Sequence, residues 1–249
     1  MKATFQRGQK LFNLKDRVKR SRLHLLAEVF YNLYWLFLIR PKWYSQTGED
    51  VLIAKYFPED TGKYLDIGAG LPIRGSNTYF LYKRGWSGVV VDPISLNIKL
   101  SRTFRPRDFR FQTCIGISET EVFFYEFIPY GYSTIEESVA LQLLESRNAK
   151  LRSKTIMKVV PASVLAPSMK PSDATFLSID IEGAEYEALS SIDWEVTTPR
   201  VICVEEWDGA DAQGRIAGLL TEKGYELKER TALSAIYVHQ NWTRAQAAC

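Results

Sequence analysis

The sequence contains few of the residues that build disulfide frameworks, zinc clusters or histidine-based active sites. Its 249 residues include three cysteines, Cys114, Cys203 and Cys249, and two histidines. Three scattered cysteines are too few for a disulfide framework or a zinc cluster, and we expect small buried apolar residues in a reducing compartment. His24 lies in a basic N-terminal segment and His239 ends a strand-like run. We therefore expect neither histidine to be a catalytic base.

A clean apolar run of membrane-spanning length is also missing. The run Leu23–Arg40 is interrupted by His24, Glu28 and Asn32, and no small-residue cleavage site follows it. These features favour neither a membrane span nor a secretory signal, so we expect a cytoplasmic protein.

Basic residues are concentrated at one end of the chain. Residues 1–40 carry nine Lys/Arg and two Asp/Glu, whereas the other 209 residues carry 23 and 27. The mildly acidic body has no basic stripe with interleaved aromatic residues, which argues against a nucleic-acid groove. We divide the chain into a basic, aromatic-rich helical arm, 1–43, and one domain, 44–249. The arm is expected to pack on the domain, to form a homodimer contact, or to lie on the inner face of an anionic membrane.

Strand-like apolar runs alternate with helical periodicity along most of the domain. Seven such runs belong to this pattern: 63–68, 87–93, 109–114, 174–180, 200–207, 225–230 and 234–240. The alternation predicts an α/β, Rossmann-like fold with a mainly parallel seven-stranded sheet and an antiparallel edge strand, similar to the class I methyltransferase fold. An insert over 121–160 interrupts the pattern, and its aromatic, Gly/Ser/Thr-rich loop is a candidate lid over an acceptor.

A glycine-rich turn follows the first strand and carries Asp66, Gly68 and Gly70; Asp92 ends the next strand, 26 residues after Asp66. Ligands of such sheets bind at the carboxyl ends of the strands, where glycines allow close backbone approach and Asp92 can accept hydrogen bonds from a ribose diol. A carboxylate at Asp66 would repel the pyrophosphate of NAD but attract the sulfonium and ammonium groups of S-adenosylmethionine. The pattern therefore favours S-adenosylmethionine, with Asn77 either at the cofactor's amino-acid end or capping its helix.

Carboxylates are the candidates for the chemistry. Asp180 ends a strand, Glu182 lies in the following turn, and Glu205 and Glu206 end the next strand. A hydroxyl is a poor nucleophile, so its methylation requires a base or a metal. A carboxylate cluster can raise one pKa to make a base, or can hold Mg²⁺. We predict Asp180 and Glu182 as the catalytic pair, supported by Glu205 or Glu206, and leave the metal open.

Five blocks in this order and spacing resemble the FkbM family of S-adenosylmethionine-dependent methyltransferases: SQTGED, DIGAG, GSNTYFLYKRGW with VDP, SIDIEGAEYEAL and ICVEE. The resemblance covers roughly Tyr44 to His239. It implies a domain that O-methylates hydroxyls, often on sugars or polyketide-like acceptors, and it makes Gln46 and Glu49 candidate cofactor contacts. Many members carry Glu where this chain has Asp92, and the basic arm lies outside the family pattern.

The sequence thus predicts an O-methyltransferase for a hydroxyl of a carbohydrate, in a glycan, a lipid-linked sugar or a surface polysaccharide. Two alternatives stay open at this point. One is a methyltransferase for a small secondary metabolite, and the other is a cofactor-binding Rossmann protein without catalysis.

Overall fold

A computed structural model describes residues 29–30, 33–34, 42–59, 61–128, 130–146, 149–170, 172–206 and 210–242. The chain divides into two units, Met1–Lys42 and Trp43–Cys249, and every strand described below belongs to the second. Most of the arm 1–43 lies outside the described residues, so its role at a membrane or in a dimer stays a prediction. Among the described helices, none has the length and apolar character needed to cross a membrane.

The domain contains ten strands and seven α-helices in the described residues. The strands are β1 (Lys63–Ile67), β2 (Ser87–Val91), β3 (Phe109–Phe111), β4 (Cys114–Ile115), β5 (Thr120–Ile128), β6 (Lys150–Val160), β7 (Thr175–Ile179), β8 (Val201–Glu205), β9 (Tyr225–Arg230) and β10 (Ser234–His239). The helices are α1 (Glu49–Ile53), α2 (Tyr79–Lys83), α3 (Ser95–Phe104), α4 (Glu137–Ser146), α5 (Ala162–Leu165), α6 (Glu185–Ser190) and α7 (Ala210–Glu222).

Seven strands form the central sheet in the order β3-β2-β1-β7-β8-β10-β9. All neighbours are parallel except at β10, which runs antiparallel to both β8 and β9. The predicted mainly parallel seven-stranded sheet with a reversed strand near one edge is confirmed. The reversed strand lies one position in from the edge, because β9 pairs with its outer side.

The core of the domain follows the central strands. Every residue of β7 and β8 is buried, as expected when helices cover both faces of a parallel sheet and the strands become continuous apolar runs. Trp86 and Phe57 are fully buried and pack edge to face, with ring centroids 4.8 Å apart. The loops at the carboxyl edge of the sheet therefore start from buried strand ends.

The insert forms a second sheet with the strand order β4-β6-β5. We predicted one strand over 109–114, but the chain leaves the central sheet after Phe111 and re-pairs at Cys114 opposite Val159. The long strands β5 and β6 pair antiparallel in this sheet. Helix α4 packs on it through Ala140, which shares a buried cluster with Tyr125 and Phe127.

Candidate active site

A cavity of about 730 Å³ opens where the carboxyl ends of the parallel strands meet the insert. Its walls come from the loops after β1, β2 and β7 and from the loop before α4. Of the predicted site residues, the described lining includes Gln46, Gly68, Gly70, Asp92, Asp180 and Glu182. The site therefore lies at the edge of the sheet that the sequence indicates, and a volume of this size suits a cofactor-sized ligand.

The two glycines of the turn after β1 bring backbone directly against the cavity. Gly68 has a φ of 76°, and a Cβ built there would lie 1.8 Å from the carbonyl oxygen of Asp180. Gly70 has a φ of 58°, and its amide donates to Asp92 Oδ2 at 2.8 Å. Only glycine fits position 68, because a side chain would clash with the loop after β7.

Asp92 is a buried carboxylate at the end of β2 that also faces the cavity. It accepts hydrogen bonds from the amide of Ile94 at 2.7 Å and from Asn97 Nδ2 at 3.1 Å, besides that of Gly70. Burial raises the pKa of Asp92 to about 7, although these three donors oppose the rise. The carboxylate is thus held in one orientation by loops from two neighbouring strands.

Three carboxylates converge beside the cavity, and two of them, Asp180 and Glu182, line it. Asp180, Glu182 and Glu205 each place one oxygen within 4.8 Å of the others. Burial, and then the charge of Glu205 beside it, raises the pKa of Asp180, which also accepts a hydrogen bond from Gln46 Nε2 at 3.1 Å. Loss of hydration, and then the charges of Asp180 and Glu185, raises the pKa of Glu182 to about 7.

The backbone of Glu182 is strained at this point. Its φ of 58° makes it the one non-glycine residue with a positive φ among the described residues. The neighbouring turn is held by Glu185, which accepts hydrogen bonds from the amides of Ile181 at 3.1 Å and Gly183 at 3.0 Å. A left-handed conformation of this kind costs about 1–3 kcal/mol, and such residues concentrate at functional sites.

Strand alternation separates the two carboxylates that end β8. Glu205 joins the cluster with Asp180, whereas Glu206 accepts hydrogen bonds from Arg230 Nη1 and Tyr237 OH, both at 2.6 Å. The sequence predicted that one of the two would point into the crevice; Glu205 joins the carboxylate cluster but is not among the described residues that line the cavity. Glu206 stabilises the contact with the β9–β10 hairpin.

Asp66 is not among the described residues that line the cavity. Instead it accepts a hydrogen bond from Thr78 Oγ1 and lies 3.7 Å from Arg105 Nη1. Arg105 is completely buried and also pairs with Asp108 at 2.7 Å. Burial raises the pKa of Asp66, and the nearby guanidinium of Arg105 opposes that rise. The cation that Asp66 faces in the described structure is thus Arg105, and its cofactor contact stays a prediction.

Glu49 and Asn77 also lie outside the described lining of the cavity. Glu49 is buried at the start of α1 and accepts hydrogen bonds from Thr47 and, at 2.8 Å, from Thr231 Oγ1. Burial would raise the pKa of Glu49, but these hydrogen bonds outweigh burial and lower it. Asn77 Nδ2 donates to Ser178 Oγ at 3.3 Å. Both side chains join segments of the domain, and their roles in cofactor binding stay predictions.

Several lining residues were not predicted from the sequence. Asn97 is buried, lies five residues after Asp92 on α3, and its Oδ1 has no hydrogen-bond partner among the described residues. The insert contributes Ser133, Thr134 and Glu136. Asn97 had no signal beyond its closeness to Asp92 in the sequence. The sequence did indicate the Gly/Ser/Thr-rich loop of the insert as a candidate lid, and these three insert residues come from that loop, before α4, although which of them would line the cavity depends on pairing between distant strands.

The remaining cysteine and histidine predictions agree with the described structure. Cys114 and Cys203 are buried, as expected of small apolar residues. His239 is buried, burial lowers its pKa, and its Nδ1 accepts the amide of Asn241 at 3.2 Å. Cys249 and His24 lie outside the described residues.

The strand order and the acidic strand ends around one cavity define a Rossmann-like, class I methyltransferase domain. The family model for the methyltransferase FkbM domain matches residues 66–227, and the chain belongs to this family of S-adenosylmethionine-dependent methyltransferases. No curated protein matches the sequence.

Solved structures of methyltransferases are similar to the chain at low identity. A TehB-like S-adenosylmethionine-dependent methyltransferase from Corynebacterium glutamicum has 13% identity and a TM-score of 0.45, with 88% of this chain and 100% of that chain covered. A putative RNA methyltransferase from Pyrococcus horikoshii has 11% identity and a TM-score of 0.42, with coverages of 81% and 90%. A third, from Methanosarcina mazei, has 14% identity and a TM-score of 0.37, with coverages of 76% and 96%.

Proposed function

We propose that this chain is an O-methyltransferase that methylates a hydroxyl of a carbohydrate acceptor. The observation that carries the proposal is the cluster of Asp180, Glu182 and Glu205, of which Asp180 and Glu182 line the same cavity as Asp92. A hydroxyl must lose its proton as it is methylated, and a carboxylate with a pKa near neutrality is suited to accept it at physiological pH.

The residues around Asp92 fit the nucleoside part of S-adenosylmethionine. The carboxylate of Asp92 can accept both hydroxyls of a ribose, and the backbone of the turn after β1 lines the cavity at Gly68 and Gly70. Asn97 offers a buried acceptor oxygen next to Asp92. When bound, the cofactor supplies a methyl group on a positively charged sulfur, which the acidic cavity favours.

We assign the proton-accepting role to Glu182, because its pKa of about 7 leaves a large basic fraction at neutral pH. Asp180 holds the neighbouring position, shares a hydrogen bond with Glu205, and raises the pKa of Glu182 by its charge. Gln46 fixes Asp180 through its 3.1 Å hydrogen bond. The acceptor hydroxyl would lie at the Glu182 carboxylate, opposite the wall supplied by the insert.

The same three carboxylates favour a second version of the chemistry, in which they hold a divalent cation. Carboxylate oxygens are ligands that Mg²⁺ prefers, and a bound cation would lower the pKa of a coordinated sugar hydroxyl. The two versions differ in their metal dependence. Methyl transfer by the base mechanism continues after divalent metal is removed, whereas methyl transfer by the metal-assisted mechanism stops.

The test is methyl transfer from S-adenosylmethionine to a panel of sugars and of non-sugar secondary alcohols, analysed by mass spectrometry with and without a chelator. We expect Glu182→Gln to lower the rate about 10²–10⁴-fold, as for loss of a general base. Binding of S-adenosylhomocysteine to the same variant should change little. Transfer restricted to the non-sugar alcohols would contradict the carbohydrate assignment.

Glu206→Gln is the matched control. It removes a carboxylate that follows the neighbouring strand β8 and contacts Arg230 and Tyr237. We expect it to keep most of the methylation rate and to lower stability instead. Equal losses of rate in the Glu182 and Glu206 variants would contradict the assignment of the base.

A further inference from the structure

Most of the ionisable side chains that line the cavity are acidic. Among the described residues that line it, five carry carboxylates and one carries a cation: Asp92, Glu136, Asp180, Glu182 and Glu187, and Arg74. Burial raises the pKa of Asp92 and of Glu182 to about 7, so both are partly protonated near neutral pH, and it raises the pKa of Asp180 as well. Glu136 and Glu187 still add two carboxylates to the walls around the cluster.

These two glutamates border the cavity from two different elements. Glu136 comes immediately before α4 in the insert, and Glu187 lies in the first turn of α6 directly after the catalytic turn. The insert is in close contact with the proposed base, because a Cβ built at Gly131 would lie 3.2 Å from Glu182 Oε1. Ser133 and Thr134 belong to the same wall.

We propose that the acceptor is uncharged or positively charged around the reacting hydroxyl, and that Glu136 and Glu187 discriminate against acidic sugars. This inference rests on the proposed function and specifies its substrate class. An anionic group brought near several carboxylates in a partly desolvated cavity is repelled, and a single guanidinium does not offset them all. A neutral hexose or an amino sugar meets no such repulsion.

A second observation supports the cavity as a ligand site. The buried Oδ1 of Asn97 has no partner among the described residues, although Asn97 lines the cavity and its Nδ2 is bonded to Asp92. Buried polar atoms without partners are uncommon in folded proteins, and a hydroxyl or amino group of a ligand would satisfy this one.

The experiment uses the full-length protein and three matched methyl glycosides: a glucoside, a glucosaminide and a glucuronide. Binding to protein loaded with S-adenosylhomocysteine is measured by saturation-transfer NMR, and methylation is measured with S-adenosylmethionine. We expect the glucuronide to bind at least tenfold more weakly than the glucoside. In Glu136→Gln and Glu187→Gln the difference in affinity between glucoside and glucuronide should become severalfold smaller. In Glu145→Gln, an exposed substitution further along α4, this difference should be unchanged.

The two readouts separate failure of the inference from failure of the proposed function. Preferred binding of the glucuronide by the wild type, or a gap that none of the cavity variants changes, overturns the inference even if methylation occurs. Graded binding without methylation of any glycoside supports the charge selection and contradicts carbohydrate O-methylation. Absence of binding by all three glycosides contradicts both.

Discussion

Asp92 shows how one buried side chain serves structure and binding at the same time. It accepts two backbone amides and one side-chain amide, and so ties the turn after β1 to the segment after β2. Its burial raises its pKa to about 7, which means that the folded domain holds a carboxylate in an environment that disfavours its charge. Such an arrangement is unfavourable without a ligand, and hydroxyl donors from a ribose would relieve it.

At this residue we predict that Asp92→Asn weakens binding of S-adenosylhomocysteine by about 30-fold or more, or ~2 kcal/mol, since two hydrogen bonds to a charged acceptor are lost. Calorimetric titration measures the change. Asp173→Asn, an exposed substitution that lies outside the described cavity lining, is the matched control and should bind normally. Unchanged affinity in Asp92→Asn would remove Asp92 from the cofactor site.

The sequence did not predict that Arg105 would form a buried ion-pair network. Arginine is usually exposed, yet Arg105 is fully buried between Asp66 and Asp108, and its Nη2 donates to Thr78 Oγ1 at 2.8 Å. Nothing in the local sequence distinguishes it from the exposed Arg102 one turn earlier. Asp66 was identified from its glycine-rich context, but its partner depends on how α3 packs against β1.

We therefore predict that Arg105→Met lowers the free energy of unfolding by about 3–5 kcal/mol, because it leaves two buried carboxylates without their cation. Urea denaturation gives the value. Arg102→Met, on the exposed side of the same helix, should stay within about 0.5 kcal/mol of the wild type. Similar losses in both variants would mean that the buried network does not stabilise the domain.

At the scale of elements, the sequence predicted best what depends on local patterns. The apolar runs that end in Asp92 and Asp180 became β2 and β7, and alternation along β8 correctly implied that Glu205 and Glu206 would diverge. The second sheet was not predicted. Its pairing of Cys114 with Val159 joins segments that are far apart in sequence, and no local pattern specifies such pairing.

The loop before α4 brings the insert to the site, and Gly131 in this loop lies close to Glu182, so it should affect binding of the acceptor. We predict that Gly131→Val raises the KM for the acceptor by about tenfold, because the added side chain crowds Glu182. This change corresponds to a loss of ~1.4 kcal/mol in the free energy of acceptor binding. Binding of S-adenosylhomocysteine should be unchanged. Steady-state kinetics and calorimetry separate the two effects.

Gly218→Ala provides the comparison for this loop. It lies in α7, where an added Cβ would meet no atom within 4 Å, so we expect normal kinetics and a slightly more stable helix. An unchanged acceptor KM in Gly131→Val would show that the insert does not contact the acceptor.

At the scale of the whole molecule, the carboxylates of the candidate active site lower the free energy of unfolding near neutral pH. The domain buries or crowds several carboxylates with raised pKa values, namely Asp92, Asp180 and Glu182. Glu49 and His239 have lowered pKa values, and each therefore contributes stability that is lost as the pH falls. The large upward shifts, two of them to about 7, outweigh these contributions between pH 5 and pH 8.

Carboxyl groups whose pKa is higher in the folded than in the unfolded state contribute stability below the unfolded pKa and lose it as the pH rises through the folded pKa. We therefore predict that, without cofactor, the free energy of unfolding falls by on the order of 1–3 kcal/mol between pH 5 and pH 8. The largest part of the change should come from the buried Asp92, since solvent screens the more exposed Glu182. Urea denaturation at four pH values measures it. The double variant Asp180→Asn with Glu182→Gln should reduce the slope only in part, because Asp92 remains, whereas stability that rises with pH in the wild type would show that the site is not under this strain.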